Sequence, residues 1–534
     1  MNKAVNLLQQ YISDGQFQKA LQECKKLLSN NPKETFLMKL LSHIYFLMED
    51  YQKAVETSLK ILELDPNDFD SINNIGSYNV QLENFDEAQR YIKKAKQLNN
   101  SHPAPLQNNA EIAMKKREFS NAAQELDLCI SFHEKYSDDY FTYKGALILR
   151  IEVFIALKEQ DKAVEFIKKY LSIKFDGELL LHLVQIKKDE VDDNLIKICK
   201  EKSLSKTFNS KLEKYQELVP LYFALANFYE KSDQEMSEEY YIRANKEVFE
   251  IVRLAMMKFQ KSVINIMENY NFIKGTNISD KDKGHKNIFI VGMPRSGTTL
   301  TESMITANSE VFAGGELQSF YDLANRFILN KDFSLTKMNE VGDDYVYKTE
   351  YFLGEFSKVV DKLPNNYLFL GHIRKFLPKS KIILVLRDPW DVAVSLFKQR
   401  YVTNIPYASS MFNIGVTLAN FEASILFWQK QNVVDENIFT IKYEDLVKNF
   451  DEYQNKLYEF CEIKAAYEPE KRERFFAKTA TIYQVQNKIH TESVKKEEFL
   501  SLKSEFVDAF NSQREFWNSK NLYPPPDSFF GYKV

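Results

Sequence analysis

The stretch VGMPRSGTT, residues 291–299, decides how the second half of this sequence is interpreted. It follows the phosphate-binding loop pattern G-x-x-x-x-G-K-[ST] at both glycines and at the last hydroxyl, but Thr298 stands where that pattern has a lysine. The apolar run NIFIVG (287–292) before the loop predicts a buried parallel strand, and LTESMITAN after it can start a helix. The stretch therefore predicts a strand–loop–helix unit within an α/β domain.

The loop carries groups that bind anions. Successive backbone N–H groups at a helix N-terminus form a concave anion site. Ser296, Thr298 and Thr299 add hydroxyl donors, and Arg295 can reach an oxygen that gains charge during group transfer. Because the lysine is missing, the loop argues against γ-phosphate chemistry with magnesium and suits a 5′-phosphosulfate better. The alternative interpretation is an ordinary tight turn in an α/β sheet.

The composition indicates several domains and no general affinity for polyanions. A chain of 534 residues is too long for one ordinary core, and its net charge of −4 gives no basic excess for nucleic acid or an acidic membrane surface. The cysteines form no C-x-x-C pair, which favours a reduced, intracellular protein. The N-terminus lacks the features of a signal peptide, and apolar runs such as KIILVL are too short to span a membrane. We therefore expect a cytoplasmic protein.

Four segments in the first third repeat with one period: DGQFQKAL, MEDYQKAV, LENFDEAQ and KREFSNAA. At steps of 34 residues they place an aromatic residue (Phe17, Tyr51, Phe85, Phe119) and an alanine (Ala20, Ala54, Ala88, Ala122). A fifth copy, KEQDKAV with Ala163, follows after 41 residues without the aromatic. This period resembles the tetratricopeptide repeat, or TPR, in which each helix pair leaves an apolar face for the next pair to cover.

The sequence thus predicts an N-terminal all-α TPR solenoid followed by an α/β, P-loop-like domain with a central parallel sheet. We expect the solenoid over residues 1–175, a helical connector with one more TPR-like helix pair over 176–280, and the α/β domain over 281–534. The concave face of a solenoid suits an extended peptide or a partner protein. The repeats could instead only cap or dimerise the rest, and the sequence leaves a homodimer open.

A second anion site is indicated by KIILVLRDPWDVAVSLFKQRY, residues 381–401. KIILVL predicts another buried strand with Arg387 at its carboxyl end, and Asp388 and Pro389 can open the next helix. Ser395 then falls about two turns into that helix. Ligands of open α/β sheets lie beyond the carboxyl ends of the strands, where Arg387 would lie. The alternative is an Arg–Asp ion pair at a helix cap.

Together these motifs resemble a known family. PRSGTT is similar to the 5′-phosphosulfate loop of sulfotransferases, which use 3′-phosphoadenosine 5′-phosphosulfate (PAPS) and require no metal. With its repeats, the chain resembles bacterial TPR-containing sulfotransferases, and its catalytic half is most similar to the tyrosylprotein sulfotransferase branch. The resemblance implies that the cosubstrate is held by Arg295, Ser296, Gly297, Thr298 and Thr299 at the 5′ end and by Arg387 and Ser395 at the 3′-phosphate.

In-line displacement at sulfur needs a base for the acceptor's proton and a cation for the charge on the departing oxygen. Glu316 follows two glycines and, by the resemblance, is the general base; Lys362, before a Leu-Pro, is the catalytic acid that contacts the bridging oxygen. A solvated loop glutamate and a surface lysine are the alternatives. Arg295 is also counted as catalytic. His372 lies within a helical pattern, and we interpret it as structural.

Two later elements complete the resemblance. Tyr443 in IFTIKYEDLV would contact the nucleotide, unless it is a core tyrosine. In TATIYQVQNKIHTESVKK (479–496), Thr481 would support the transferring group as a catalytic residue, and Ser493 and Lys496 would lie near the 3′-phosphate. A generic lysine-rich loop is the alternative for this last segment.

The departures from the family concern the acceptor. Trp390 stands where relatives often have a second basic residue, and Gln399 stands where the tyrosylprotein branch has an arginine, with Arg400 one position later. Peptidyl tyrosine is the favoured acceptor, because a phenol has a pKa near ~10 and yields its proton to a carboxylate more easily than an alkyl hydroxyl does. A carbohydrate or small-molecule hydroxyl, a degenerate P-loop kinase or NTPase, and a non-catalytic TPR scaffold are the alternatives.

Overall fold

In a computed structural model, the chain divides into two compact units, Met1–Ala224 and Leu225–Val534. The division falls inside the segment 176–280 that the sequence indicated as a connector. The structure describes residues 2–136, 140–204, 207–208, 210–278, 280–401, 405–434, 438–473, 475, 497–519 and 529–532.

The first unit is a succession of helices. In chain order they are α1 (Asn2–Ser13), α2 (Phe17–Asn30), α3 (Thr35–Leu47), α4 (Tyr51–Leu64), α5 (Phe69–Gln81), α6 (Phe85–Leu98), α7 (Pro103–Lys115), α8 (Phe119–Tyr136), α9 (Tyr140–Ala156), α10 (Gln160–Ile173), α11 (Gly177–Lys187), α12 (Asp193–Ser203) and α13 (Lys211–Tyr229), which continues into the second unit. Each helix from α1 to α10 packs against the next one along the chain or against its close neighbours.

The 34-residue period of the sequence is also the period of the helices. Each repeated aromatic is the first residue of a second helix, namely α2, α4, α6 and α8. The repeated alanines have no exposed surface, because they lie where neighbouring helices meet; these are Ala20, Ala54, Ala88, Ala122 and Ala163. The predicted TPR architecture is therefore confirmed.

The second unit is built on one parallel sheet. Its strands are β1 (Asn287–Gly292), β2 (Val311–Ala313), β3 (Lys358–Asp361), β4 (Lys381–Leu386) and β5 (Ile438–Lys442). They lie in the order β2-β3-β1-β4-β5, and each neighbouring pair is parallel. All six residues of β1 are buried, as expected for a central strand covered on both faces. The predicted α/β domain with a central parallel sheet is confirmed.

Helices connect and surround these strands. They are α14 (Gln234–Tyr270), α15 (Thr298–Ile305), α16 (Ser319–Asn330), α17 (Leu335–Glu350), α18 (Leu370–Phe376), α19 (Pro389–Phe397), α20 (Met411–Lys430), α21 (Tyr443–Lys448), α22 (Phe450–Phe460), α23 (Pro469–Glu473) and α24 (Lys503–Ser519). Within the described ranges, none of the chain's helices is both long and apolar enough to cross a bilayer.

The sheet topology brings distant parts of the sequence to one edge. Parallel strands end at the same edge, so the loops after β1, β2, β3 and β4 gather there. These loops contain Arg295, Glu316, Lys362 and Arg387, the charged residues to which the sequence gave chemical roles. The fold therefore assembles its candidate site at the carboxyl ends of the strands.

Candidate active site

The loop between β1 and α15 is tightly wound. Arg295 has φ +72°, a left-handed conformation that is uncommon for a residue with a side chain, and Gly297 has φ +106°. A Cβ atom at Gly297 would lie 2.4 Å from Cδ2 of Tyr443, so only glycine lets the loop approach that ring. Tyr443, the first residue of α21, thus borders the loop, and its contact with a nucleotide stays a prediction.

The loop offers an anion a buried hydroxyl group and the N–H groups at the start of α15. The first N–H groups of α15, which begins at Thr298, have no carbonyl partner within the helix. Ser296 is buried, and its Oγ has no hydrogen-bond partner among the residues that the structure describes. A buried hydroxyl of this kind is normally paired, so the loop fits a bound anionic group such as a phosphosulfate. Thr298 and Thr299 are buried beside it.

The two arginines that were predicted to bind opposite ends of one nucleotide lie together. Nη1 of Arg387 donates a hydrogen bond to the carbonyl oxygen of Arg295 at 2.9 Å. Nε of Arg295 donates to Oγ of Ser395, also at 2.9 Å. Burial, and to a lesser degree the charge of Arg387, lower the pKa of Arg295. Two neighbouring cations repel each other, and a bound anion would offset that repulsion.

Arg387 is oriented by its neighbours. Its guanidinium carbon lies 4.4 Å from the centre of the Tyr443 ring, and Nη2 lies 3.9 Å from Oδ2 of Asp391. Asp388 caps α19 by accepting hydrogen bonds from the backbone N–H groups of Trp390 and Asp391 at 2.9 and 3.0 Å. The helix cap that the sequence suggested is therefore present, and Arg387 contacts an aspartate. These contacts hold the guanidinium beside the loop and do not remove it from the site.

Glu316 and Lys362, the predicted base and acid, are in direct contact. Nζ of Lys362 lies 2.7 Å from Oε1 of Glu316. The side chain of Lys362 has no exposed surface, whereas 31% of the Glu316 side chain is exposed. Lys362 is thus not a surface lysine, and a buried ammonium group requires such a partner. The carboxylate remains open to an incoming acceptor.

Two buried carboxylates support this pair, and sequence analysis missed both. Oε1 of Glu302 accepts a hydrogen bond from the backbone N–H of Gly315 at 3.0 Å, directly before Glu316. Asp361, directly before Lys362, accepts from the hydroxyl of Tyr345 at 2.8 Å and from the N–H of Leu363 at 3.1 Å. The available signal was an acidic residue shortly after a phosphate-loop motif in TTLTESM and at the end of a short β-branched run in KVVDKL.

His372 is structural, as the sequence indicated. It lies in α18 with no exposed surface, and burial lowers the pKa of its imidazole to about 3. Four aromatic rings surround it with centroid distances of 5.6 to 6.2 Å, those of Tyr270, Phe369, Phe376 and Trp428. The ring is therefore neutral and enclosed.

The remaining predicted positions divide into two groups. Trp390 is buried, and its ring packs against Phe506 at 5.5 Å, so this departure from the family fills the core. Thr481, Ser493 and Lys496 lie outside the described residues, and their roles stay predictions.

Comparisons with known proteins agree with the motifs. Residues 287–468 match the family model described as "Sulfotransferase family", and residues 40–68 and 69–102 match a tetratricopeptide-repeat model. An uncharacterized protein of Aquifex aeolicus is 27% identical over 381 residues, covering 66% of this chain and 48% of that protein. A putative protein-tyrosine sulfotransferase of Caenorhabditis briggsae is 31% identical over 186 residues, covering 33% of this chain and 65% of that protein.

The chain thus spans less than two thirds of the length of either curated relative. Among solved structures, a sulfotransferase domain from the curacin biosynthetic pathway aligns with 46% of this chain and 98% of its own, at 21% identity and a TM-score of 0.26.

Proposed function

Since residues 287–468 belong to the sulfotransferase family and tetratricopeptide repeats precede them, we propose that this protein transfers a sulfuryl group from PAPS to an acceptor hydroxyl. One observation carries the proposal: the hydrogen bond of Arg387 to the carbonyl of Arg295 joins two anion-binding elements into one site. A nucleotide with charged groups at both its 5′ and 3′ positions needs such a pair.

The residues of the site have distinct tasks in this proposal. The 5′-phosphosulfate is held by Arg295, Ser296, Gly297, Thr298 and Thr299, and the 3′-phosphate is held by Arg387 and Ser395. The hydroxyl of Ser395 accepts a hydrogen bond from Arg295 and can still donate its own proton to a phosphate oxygen. The ring of Tyr443, against both Gly297 and Arg387, borders the nucleotide.

Glu316 and Lys362 supply the chemistry. The partly exposed carboxylate of Glu316 takes the proton of the acceptor hydroxyl. The buried ammonium of Lys362 meets the charge that develops on the oxygen leaving sulfur. The contact of the two side chains at 2.7 Å supports roles for both in one reaction. This arrangement supports an enzyme over a non-catalytic scaffold, because binding a nucleotide requires neither residue.

Peptidyl tyrosine is the acceptor we favour. A phenol has a pKa near ~10, so a carboxylate can accept its proton as the bond to sulfur forms. Relatives named protein-tyrosine sulfotransferase support this choice. A carbohydrate or another small hydroxyl compound is the second candidate, because Gln399 replaces an arginine that the tyrosylprotein branch carries.

The repeats have a proposed role of their own. We place the TPR solenoid at residues 1–175, the connector at 176–280 and the catalytic domain at 281–534. The concave face of the solenoid would bind an extended peptide or a partner protein. We expect the enzyme to act in the cytoplasm.

Two measurements test the proposal. Thermal stability is compared with adenosine 3′,5′-bisphosphate (PAP) and with ATP plus magnesium; we expect stabilisation by PAP alone, and stabilisation by ATP alone would favour a kinase. Radiolabelled PAPS is then supplied with a mixture of tyrosine peptides and with oligosaccharides. Transfer should fall by about 10²- to 10⁴-fold in Glu316→Gln, the range expected for loss of a general base.

The exposed Glu355, which lies in the loop before β3, provides a matched control. Glu355→Gln should transfer at the wild-type rate. Equal activity of Glu316→Gln and Glu355→Gln would exclude Glu316 as the general base. A melting temperature that does not change on addition of PAP would contradict PAPS as the donor.

A further inference from the structure

Tyr401 turns its hydroxyl toward the interior of the second unit. It lies four residues beyond the end of α19, the helix whose Ser395 contacts Arg295. The residue as a whole is partly exposed, but its Oη is buried. No residue in the described part of the chain forms a hydrogen bond with this hydroxyl. Tyr401 therefore points a buried donor inward without a partner.

A positive and a negative side chain of the proposed reaction centre interact electrostatically with this hydroxyl. Tyr401 lies within electrostatic reach of Arg295 and of Glu316. Burial raises the pKa of its phenol well above the ordinary value, the charge of Arg295 opposes this rise, and that of Glu316 adds to it. The phenol consequently keeps its proton at neutral pH and acts as a hydrogen-bond donor.

A group that pairs with the Tyr401 hydroxyl would bring an acceptor oxygen into the neighbourhood of Arg295 and Glu316. Polar side chains in protein interiors are rarely left unpaired, because an unmade hydrogen bond is costly there. In the proposed reaction, the transferring sulfuryl group occupies this position, since Arg295 belongs to the donor loop and Glu316 faces the acceptor. Its oxygens carry negative charge and accept hydrogen bonds.

We propose that the Tyr401 hydroxyl donates a hydrogen bond to an oxygen of the transferring sulfuryl group. This inference rests on the proposed sulfotransferase function. It makes Tyr401 a further contact of the sulfuryl group, in addition to Lys362 and Arg295. No covalent step involves Tyr401, because its proton stays on the phenol oxygen throughout.

Tyr407 offers a matched control. It lies six residues farther along, and its hydroxyl is likewise buried and unpaired among the described residues. Its side chain is 1% exposed and packs against Phe259 with ring centroids 5.4 Å apart. Tyr407→Phe removes an equivalent buried hydroxyl that lies within electrostatic reach of Tyr401, but not of Arg295 or Glu316, so it controls for the loss of a phenol oxygen beside the proposed contact.

The test compares the binding of PAPS with that of PAP, which lacks the sulfuryl group, by titration calorimetry. A hydrogen bond to a charged group is worth roughly tenfold to a hundredfold in affinity. Tyr401→Phe should weaken PAPS binding by about tenfold or more and leave PAP binding unchanged. The rate of transfer to the acceptor class that the wild-type protein labels should fall at least as far. Tyr407→Phe should match the wild type in every measurement.

Three results would overturn the inference. The first is unchanged PAPS binding and transfer in Tyr401→Phe. The second is an equal loss of PAP binding, which would mean that the ring only supports the fold. The third is a gain of sulfate on the tryptic peptide that begins at Tyr401 in wild type but not in Tyr401→Phe, which would make Tyr401 an acceptor.

The wild-type protein distinguishes this failure from failure of the proposed function. Absence of both PAP binding and transfer in the wild type contradicts the function and the inference together. Wild-type transfer combined with a fully active Tyr401→Phe contradicts the inference alone.

Discussion

At the scale of single residues, the contact between Lys362 and Glu316 governs the candidate site. The ammonium group is fully buried, so the carboxylate is its compensating charge, and the approach of a substrate must preserve that compensation. The anionic end of PAPS can do so, because it brings negative charge to the same position. In the proposed reaction, substrate binding would therefore be coupled to the release of Glu316 as the base.

Replacement of Lys362 tests this coupling. Lys362→Met retains an apolar stem but removes the cation, so the rate of sulfuryl transfer should fall by about 10²- to 10³-fold. Binding of PAP, measured by calorimetry, should persist because Arg387 and the loop are untouched. The exposed Lys379 serves as the control, and Lys379→Met should behave as the wild type does. A Lys362→Met variant with the wild-type rate would exclude Lys362 as the acid.

At the scale of elements, one turn recurs between the helices of the repeats. Gly15, Glu49, Glu83 and Arg117 are 34 residues apart, and each has a positive φ between 57° and 70°. The fifth copy has Lys158 with φ 60° at the same place. In each case the following residue donates a backbone hydrogen bond to a carbonyl five residues before it, as when Gln16 donates to Tyr11 at 2.8 Å. The turn thus ends one helix and sets the start of the next.

Residues other than glycine are strained in this turn, which predicts that stability can be increased. Lys158→Gly relieves a left-handed conformation at an exposed position, so the free energy of unfolding should rise by about 0.5–1 kcal/mol. Gly15→Ala should have the opposite effect of similar size, because nothing lies within 4 Å of the added Cβ and only the backbone resists it. Urea denaturation followed by circular dichroism measures both changes. A destabilised Lys158→Gly would contradict this account.

At the scale of the whole molecule, the second unit encloses an ionisable ring. His372 lies at the centre of packing between α14, α18 and α20, and burial lowers the pKa of its imidazole to about 3, whereas the ordinary value is 6.5. At pH values between these two pKa values, the imidazole is therefore protonated in the unfolded chain and neutral in the folded chain. This contribution to stability is complete above pH 6.5 and is lost as the pH falls toward 3.

His372→Leu should flatten this dependence. Below pH 6.5, the free energy of unfolding of the wild type should fall by ~1.4 kcal/mol per pH unit more than that of the variant. Denaturation in urea at several pH values, followed by the fluorescence of the neighbouring Trp428, measures the difference. His285→Leu, at an exposed position, is the control. Parallel pH profiles for the wild type and His372→Leu would contradict the prediction.

The sequence by itself determined the parts of this protein in which the relevant interactions join near neighbours. Each helix pair of the repeats, with its aromatic residue and its alanine, is contained in 34 consecutive residues. The strand, loop and helix around Gly292 likewise form one continuous segment. Local periodicity and backbone geometry suffice to predict such units. The motif order also indicated two anion-binding elements, with Arg295 in one and Arg387 in the other.

Only the tertiary structure determined which side chains of these elements come into contact. It joined Arg295 to Arg387 across 92 residues and Glu316 to Lys362 across 46. It also placed Glu302 behind the glycines that precede Glu316. The strand order β2-β3-β1-β4-β5 sets these approaches, and crossover connections leave no local pattern in the sequence. The charge and burial of a site depend on such long-range packing. The motifs of the site can therefore be read from the sequence, whereas its chemistry depends on the fold.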